Sequence, residues 1–153
     1  MASTYTVERS ATINAPAENV FDRISRFSRW PEWSPWEELD PNMEKSYSGD
    51  DGAVGSHYRW NGNRKAGAGS MTITDVKPPT NLGSDLTFTR PFKSTNKMSF
   101  TLTPQGESTD VRWSMTAPHN LITRVMSAFG LMDRQIGKDF EKGLAKLKSQ
   151  AET

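Results

Sequence analysis

The chain has no cysteine among its 153 residues, which excludes disulfides, thiolate chemistry and cysteine-ligated zinc and suits a reducing cytoplasm. It has two histidines, His57 and His119, and neither has a neighbouring ligand at zinc-like spacing, so no metal is expected. It has almost no net charge. Nineteen Lys and Arg against eighteen Asp and Glu give +1, too balanced for a protein that tracks phosphate backbones, so nucleic acid is not expected as a partner. No apolar run approaches the roughly 18 residues that a membrane span needs, and the opening MASTYTVERS lacks the charged-then-apolar pattern of a secretion signal. There is no GxSxG, HExxH or P-loop, and GNRKAGAGS reads as a hairpin turn leading into a small-residue strand. These absences lead us to expect a cytoplasmic protein with no cofactor and no stable membrane insertion.

Hydrophobic residues make up only 34% of the chain, yet seven Phe, seven Met and five Trp make that fraction bulky and deformable. The longest periodic stretch runs from Asn120 to Gln150. Ile122, Val125, Phe129, Met132, Ile136, Phe140, Gly143 and Leu147 recur every three or four residues, the spacing of one helix face, with Asn120 as N-cap. The resulting helix has about 30 residues and a length of roughly 45 Å at about 1.5 Å per residue. Its stripe needs a partner surface.

That surface is legible upstream. Tyr5, Val7, Ala11 and Ile13 alternate with polar residues as a first strand, with Arg9 an anomaly on the same parity. Pro16 fits the first position of a short helix carrying Val20, Phe21 and Ile24. The segment WPEWSPW, Trp30 to Trp36, allows a turn or two of helix and a tight bend. Strands follow at Met43–Tyr47, Ser56–Asn61, Gly69–Val76, Ser84–Arg90, Lys97–Thr103 and Val111–Ala117, separated by turn clusters such as SGDDGAVG, KPPTNLG and PQGESTD. Parity assigns one apolar face to Tyr58 and Trp60, Met71 and Ile73, Leu86 and Phe88, Met98, Phe100 and Leu102, and Val111, Trp113 and Met115. The expected architecture is one α+β domain spanning residues 1–153: a curved antiparallel sheet of about seven strands around a long C-terminal helix.

Element order, together with INAPAENVF, WPEWSPW, YSGDDGAVGSHYRWNGN, GSMTITDVKP, RPFKSTN and IGKDFEKGLAKLK, resembles the polyketide cyclase/dehydrase branch of the SRPBCC superfamily, the START-like and pollen-allergen-like helix-grip proteins. The resemblance runs from about Tyr5 to Lys148 and implies an apolar pocket between sheet and long helix. Side chains expected around it are Trp33, Tyr58, Trp60, Met71, Phe88, Arg90, Phe100 and Trp113 from the sheet side, and Met126, Phe129, Asp133 and Ile136 from the helix. The occupant implied is a small hydrophobic or aromatic molecule of lipid or polyketide type. Acid/base cyclase or dehydrase activity, and an accessory role exercised through the surface, are the alternatives.

Among these residues Asp133 stands out, because a projection at about 100° per residue puts it roughly 20° from Ile122 and Phe140, inside the apolar stripe. A carboxylate there needs a partner or a polar ligand group, and Arg90 or Arg9 could turn inward to meet it. Tyr58, whose hydroxyl needs a hydrogen-bond partner when buried, is the second acid/base candidate. Gly130, Gly137 and Gly143 each cost about 1 kcal/mol against alanine in a helix interior. Either the sheet approaches closely there or the helix bends. The tryptophans of WPEWSPW either plug one end of the grip, form a lid or present a contact surface.

Overall fold

The computed structural model of the chain describes residues 4–35, 40, 42–63, 67–90, 93–118 and 126–152, with residues 4, 5, 94, 117, 118 and 126–136 described by backbone alone. The first strand, β1 (Thr4–Ile13), leads into helix α1 (Ala17–Ser25) and a 3-10 helix, Phe27–Glu32. Six strands follow: β2 (Glu44–Ser48), β3 (His57–Asn61), β4 (Ala68–Lys77), β5 (Asn81–Arg90), β6 (Ser94–Gln105) and β7 (Ser108–Pro118). Helix α2 (Met126–Ala151) closes the chain. The expected helix start at Asn120 lies outside the described residues.

All strand pairs are antiparallel, and the seven-stranded sheet has the order β1-β7-β6-β5-β4-β3-β2. Neighbours in sequence pair directly except that β1 returns beside β7. The β6–β7 hairpin shows why the register holds. Gln105 pairs with Ser108 across a two-residue turn, and Gly106, at φ +67°, takes the left-handed conformation that a tight hairpin requires at its first position. The parity read from sequence is the parity observed: Tyr58, Trp60, Met71, Ile73, Leu86, Met98, Phe100, Leu102, Val111, Trp113 and Met115 are buried, and Phe88 is half-buried.

Helix α2 lies on this concave face through Phe140, Gly143, Leu144, Leu147 and Ala151, all buried and spaced at three or four residues. Its end is latched to the turn after β1. The Asn14 N–H donates to Glu152, Asn19 Nδ2 donates to the Ala151 carbonyl, and Lys148 Nζ donates to the Thr12 carbonyl at 3.1 Å. Arg9 Nη1 donates to the Glu8 carbonyl, so two carbonyls of the edge strand β1 receive cationic side chains that discourage pairing with another chain.

The tryptophan segment is held by α1. Trp30 Nε1 donates to the Ile24 carbonyl at 2.8 Å and Trp33 Nε1 to the Arg23 carbonyl at 3.1 Å, satisfying carbonyls that the last turn of α1 leaves open. Both indoles are buried, so they plug the grip; Trp36 lies outside the described residues. Around them Asp22 pairs with Arg26 at 2.7 Å and Arg29 at 2.5 Å, and Glu32 pairs with Arg23 and Arg29. Burial pushes the Asp22 carboxyl upward, but hydrogen bonds and charge from Arg26 and Arg29 outweigh it and hold the group below its usual range.

Two of the helix glycines have close neighbours. A Cβ on Gly143 would lie 2.9 Å from both Pro35 Cδ and Trp113 Cζ3, while one on Gly137 would lie 2.3 Å from Arg9 Nη2. Arg9 reaches that spot because it turns over the helix to pair with Glu141 at 3.3 Å. Close approach therefore accounts for both glycines, but with opposite consequences for substitution. The guanidinium end is flexible and the Trp113 ring is not, so Gly143→Ala should lower stability by about 1–3 kcal/mol despite better helix propensity. Gly137→Ala should be neutral or up to about 1 kcal/mol stabilising, and urea denaturation of the two variants checks the contrast.

The Asp22 pairing predicts an acid dependence. Its carboxyl titrates lower in the folded than in the unfolded chain, so its contribution is full above the unfolded value and is lost as pH falls through the folded one. The stability difference between wild type and Asp22→Asn should be constant from about pH 5 to 8, of the order of 1 kcal/mol or less for so exposed a group, and should shrink below about pH 4. Denaturant midpoints across that range give the measurement.

Candidate ligand-binding interior

The concave face divides into two aromatic groups. The first fills the space between β6, β7 and the C-terminal half of α2. Trp113 stacks on Phe140 with centroids 4.1 Å apart and planes 11° from parallel, and on Phe100 at 5.0 Å. Trp33 meets both Phe100 and Trp113 edge-on, at 6.0 and 5.4 Å, and Trp30 closes the group against Trp33 at 4.7 Å. All are buried and their rings interlock, so Trp33, Phe100 and Trp113 form solid core.

The second group sits on β3–β5, toward the sheet end shared by Asn61, Ala68 and Phe88. Tyr58 stacks between Tyr47, at 5.2 Å, and Trp60, at 5.8 Å, and also meets Phe27 at 5.8 Å. Trp60 meets Phe88 edge-on at 5.8 Å. Glycine makes that meeting possible. Trp60 and Phe88 both pair with Gly69, which lies between them in the sheet, and a Cβ there would come 2.3 Å from the Thr87 carbonyl oxygen and 2.8 Å from the Trp60 ring. Met71 pairs with Tyr58 and is buried beside this group.

One expected member is placed differently. Arg90 is exposed: its Nη2 donates to Asn61 Oδ1 and, at 2.7 Å, to the Gly62 carbonyl, so it clamps the β3–β4 connection. The side chains of Met126, Phe129, Asp133 and Ile136 lie outside the described residues, although their backbone is helical and precedes the Gly137 crossing. Asn96 was missed. It is buried, shares parity with Met98 and Phe100, and donates from Nδ2 to the Leu86 carbonyl at 3.3 Å. Parity alone points to it, but a β6 that starts at Lys97 excludes the inward position next to Met98.

The histidine His57 lies on the opposite face, Nδ1 bonded to Thr72 Oγ1 at 2.8 Å. Among the described residues no three His, Asp or Glu side chains are grouped to hold a metal, and no helix is long and apolar enough to cross a membrane. On the described concave face of β3–β7, Tyr58 is the one titratable side chain facing inward. Trp60 and the half-buried Phe88 thus lie together beside Tyr58, with Asn96 buried on the same face.

An antiparallel sheet curved around a C-terminal helix, with two short helices after the first strand, defines a helix-grip domain. Residues 4–152 match the family described as polyketide cyclase / dehydrase and lipid transport, and the chain belongs to that family. Solved structures share its fold. A protein of Chromobacterium violaceum superposes with a TM-score of 0.69 at 13% identity, covering 97% of each chain. The Aha1 dimer from Colwellia psychrerythraea does so at 0.67 and 18% identity, covering 97% of this chain and 96% of that one. The di-domain ARO/CYC BexL from the BE-7585A biosynthetic pathway gives 0.68 at 15% identity over 98% of this chain and 50% of its own. At such identities the likeness is one of fold. No curated protein matches the sequence.

The two aromatic groups should respond differently to substitution. Trp113→Ala, which empties the centre of the stacked core, should cost about 3–5 kcal/mol in denaturant unfolding. Gly69→Ala should change the tryptophan emission spectrum by displacing the Trp60 ring, and should lower stability by about 1–3 kcal/mol because the Thr87 carbonyl must also shift.

Proposed function

We propose that this protein binds a small hydrophobic or aromatic molecule inside the grip, at the end of the sheet marked by Trp60 and Phe88. The observation that carries this reading is the division of the concave face. The core around Trp113 and Phe140 is closed by its own rings, whereas Phe88 on the β5 side is half-buried and meets Trp60 edge-on. Membership in a family whose description joins cyclisation, dehydration and lipid transport supports an apolar occupant. Its affinity comes mainly from burying apolar area, about 25 cal/mol per Å2, with Tyr58, Asn96 or, from the helix, Asp133 orienting a polar end.

Binding is favoured over acid/base turnover because proton transfer in a transition state needs positioned titratable groups, and the described concave face of β3–β7 contributes Tyr58 alone. Asp133 is the residue on which a cyclase or dehydrase role depends.

Titration with an environment-sensitive apolar fluorophore tests the reading. Trp60→Ala should weaken binding at least about tenfold, as expected for loss of an aromatic anchor, with the unfolding transition retained. Asp133→Asn should alter affinity for ligands with a polar end and leave purely apolar ones unchanged. Undiminished binding in Trp60→Ala places the occupant elsewhere.

A further inference from the structure

Away from Trp60 and Phe88, α1 forms one wall of a groove of about 330 Å3. The β2–β3 loop at Asp51 and Gly52 forms a second wall, and Val76, Pro78 and Pro79 form the third. The wall residues Phe21, Val76, Pro78 and Pro79 present carbon. The charges are lopsided: Glu18, Asp22 and Asp51 line the groove against Arg26.

Arg26 is already committed to Asp22, as is Arg29. Asp51 receives the backbone N–H and hydroxyl of Ser28, and neither Asp51 nor Glu18 meets a cationic side chain among the described residues. A carboxylate that accepts two hydrogen bonds keeps further lone pairs free. The groove therefore holds two carboxylates with no cationic partner among the described residues, beside an apolar surface.

A second feature is independent of charge. Ser25 lines the same groove, is 5% exposed, and its hydroxyl makes no hydrogen bond with any described residue. The oxygen itself stays open to the groove, so it is available to accept a hydrogen bond from a molecule lying there. Gly52 stands opposite at φ +85°, where a Cβ would lie 3.5 Å from Arg26 Cγ and 3.9 Å from Ser25 Oγ, so glycine keeps the space in front of the hydroxyl open.

We propose that this groove binds a small organic ammonium with an apolar body. The N–H groups donate to Asp51, Glu18 and the Ser25 hydroxyl oxygen, and the hydrocarbon lies on Phe21, Val76 and the Pro78–Pro79 turn. A hard metal cation fits less well, because it seeks oxygen on all sides and much of this groove is carbon. The site does not depend on ligand binding within the grip.

Phenethylamine is the probe, with 2-phenylethanol as its neutral counterpart, followed by calorimetry and by amide chemical shifts of the full chain. The amine should shift amides of Ser25, Asp51 and Gly52 and bind at least about fivefold more tightly than the alcohol, a preference that fades as salt rises from about 20 to about 500 mM. Glu18→Gln should weaken the amine about threefold or more and leave the alcohol unchanged. Because Asp51 also secures Ser28, Ser25→Ala supplies the independent check and should weaken the amine while the fold is retained. Equal affinity for amine and alcohol, shifts confined to β3–β5, indifference to Glu18→Gln and Ser25→Ala, or no binding at all overturns the proposal.

Discussion

The contact on which the architecture depends is the stack of Trp113 on Phe140. It joins the strand beside β1 to the middle of the closing helix at 4.1 Å, a separation that leaves no room between sheet and helix. Gly143 permits the approach, since a side chain there would strike the Trp113 ring and Pro35. Trp33 and Trp30 close the stack from the third side while their indole N–H groups finish α1. One interaction thus sets the helix height, seats the tryptophan segment and fixes the end of α1.

Its consequence for function is spatial. Interior volume is consumed where the helix is pressed down, and β3–β5 carry their own aromatic group further along the sheet. There a glycine lies in the sheet between Trp60 and Phe88 and their rings meet edge-on, an arrangement that depends on Gly69. The domain divides into a closed stack around Trp113 and a second aromatic group ending at the half-buried Phe88. That division is compatible with a family whose description joins cyclisation, dehydration and lipid transport, because the Trp113 stack secures the fold by itself.

The fold was legible in the sequence because it rests on periodicity. Strand parity put Tyr58, Trp60, Met98, Phe100 and Trp113 on one face, and the i, i+3, i+4 stripe put Phe140 and Leu147 on the helix face opposite. Parity is blind to direction at a strand end, however. Arg90 keeps the parity of Leu86 and Phe88, yet at the last position of β5 it reaches sideways to Asn61 and Gly62, where its charge stays hydrated. Arg9 shows the complementary effect: it shares the inward parity of Val7 and Ile13, and escapes burial by lying over Gly137 toward Glu141. Which aromatic residues would stack against the helix could not be read from spacing, because that depends on how closely the helix approaches. The groove beside α1 was equally hidden, since residues 18, 25, 51, 52 and 79 meet only in three dimensions.

Native mass spectrometry of the intact protein purified without organic solvent tests the central claim most directly. The account predicts a species heavier than the polypeptide by the mass of one small apolar molecule, released on unfolding and regained on adding it back. A chain that runs only at its polypeptide mass and takes up no apolar compound on incubation would contradict it.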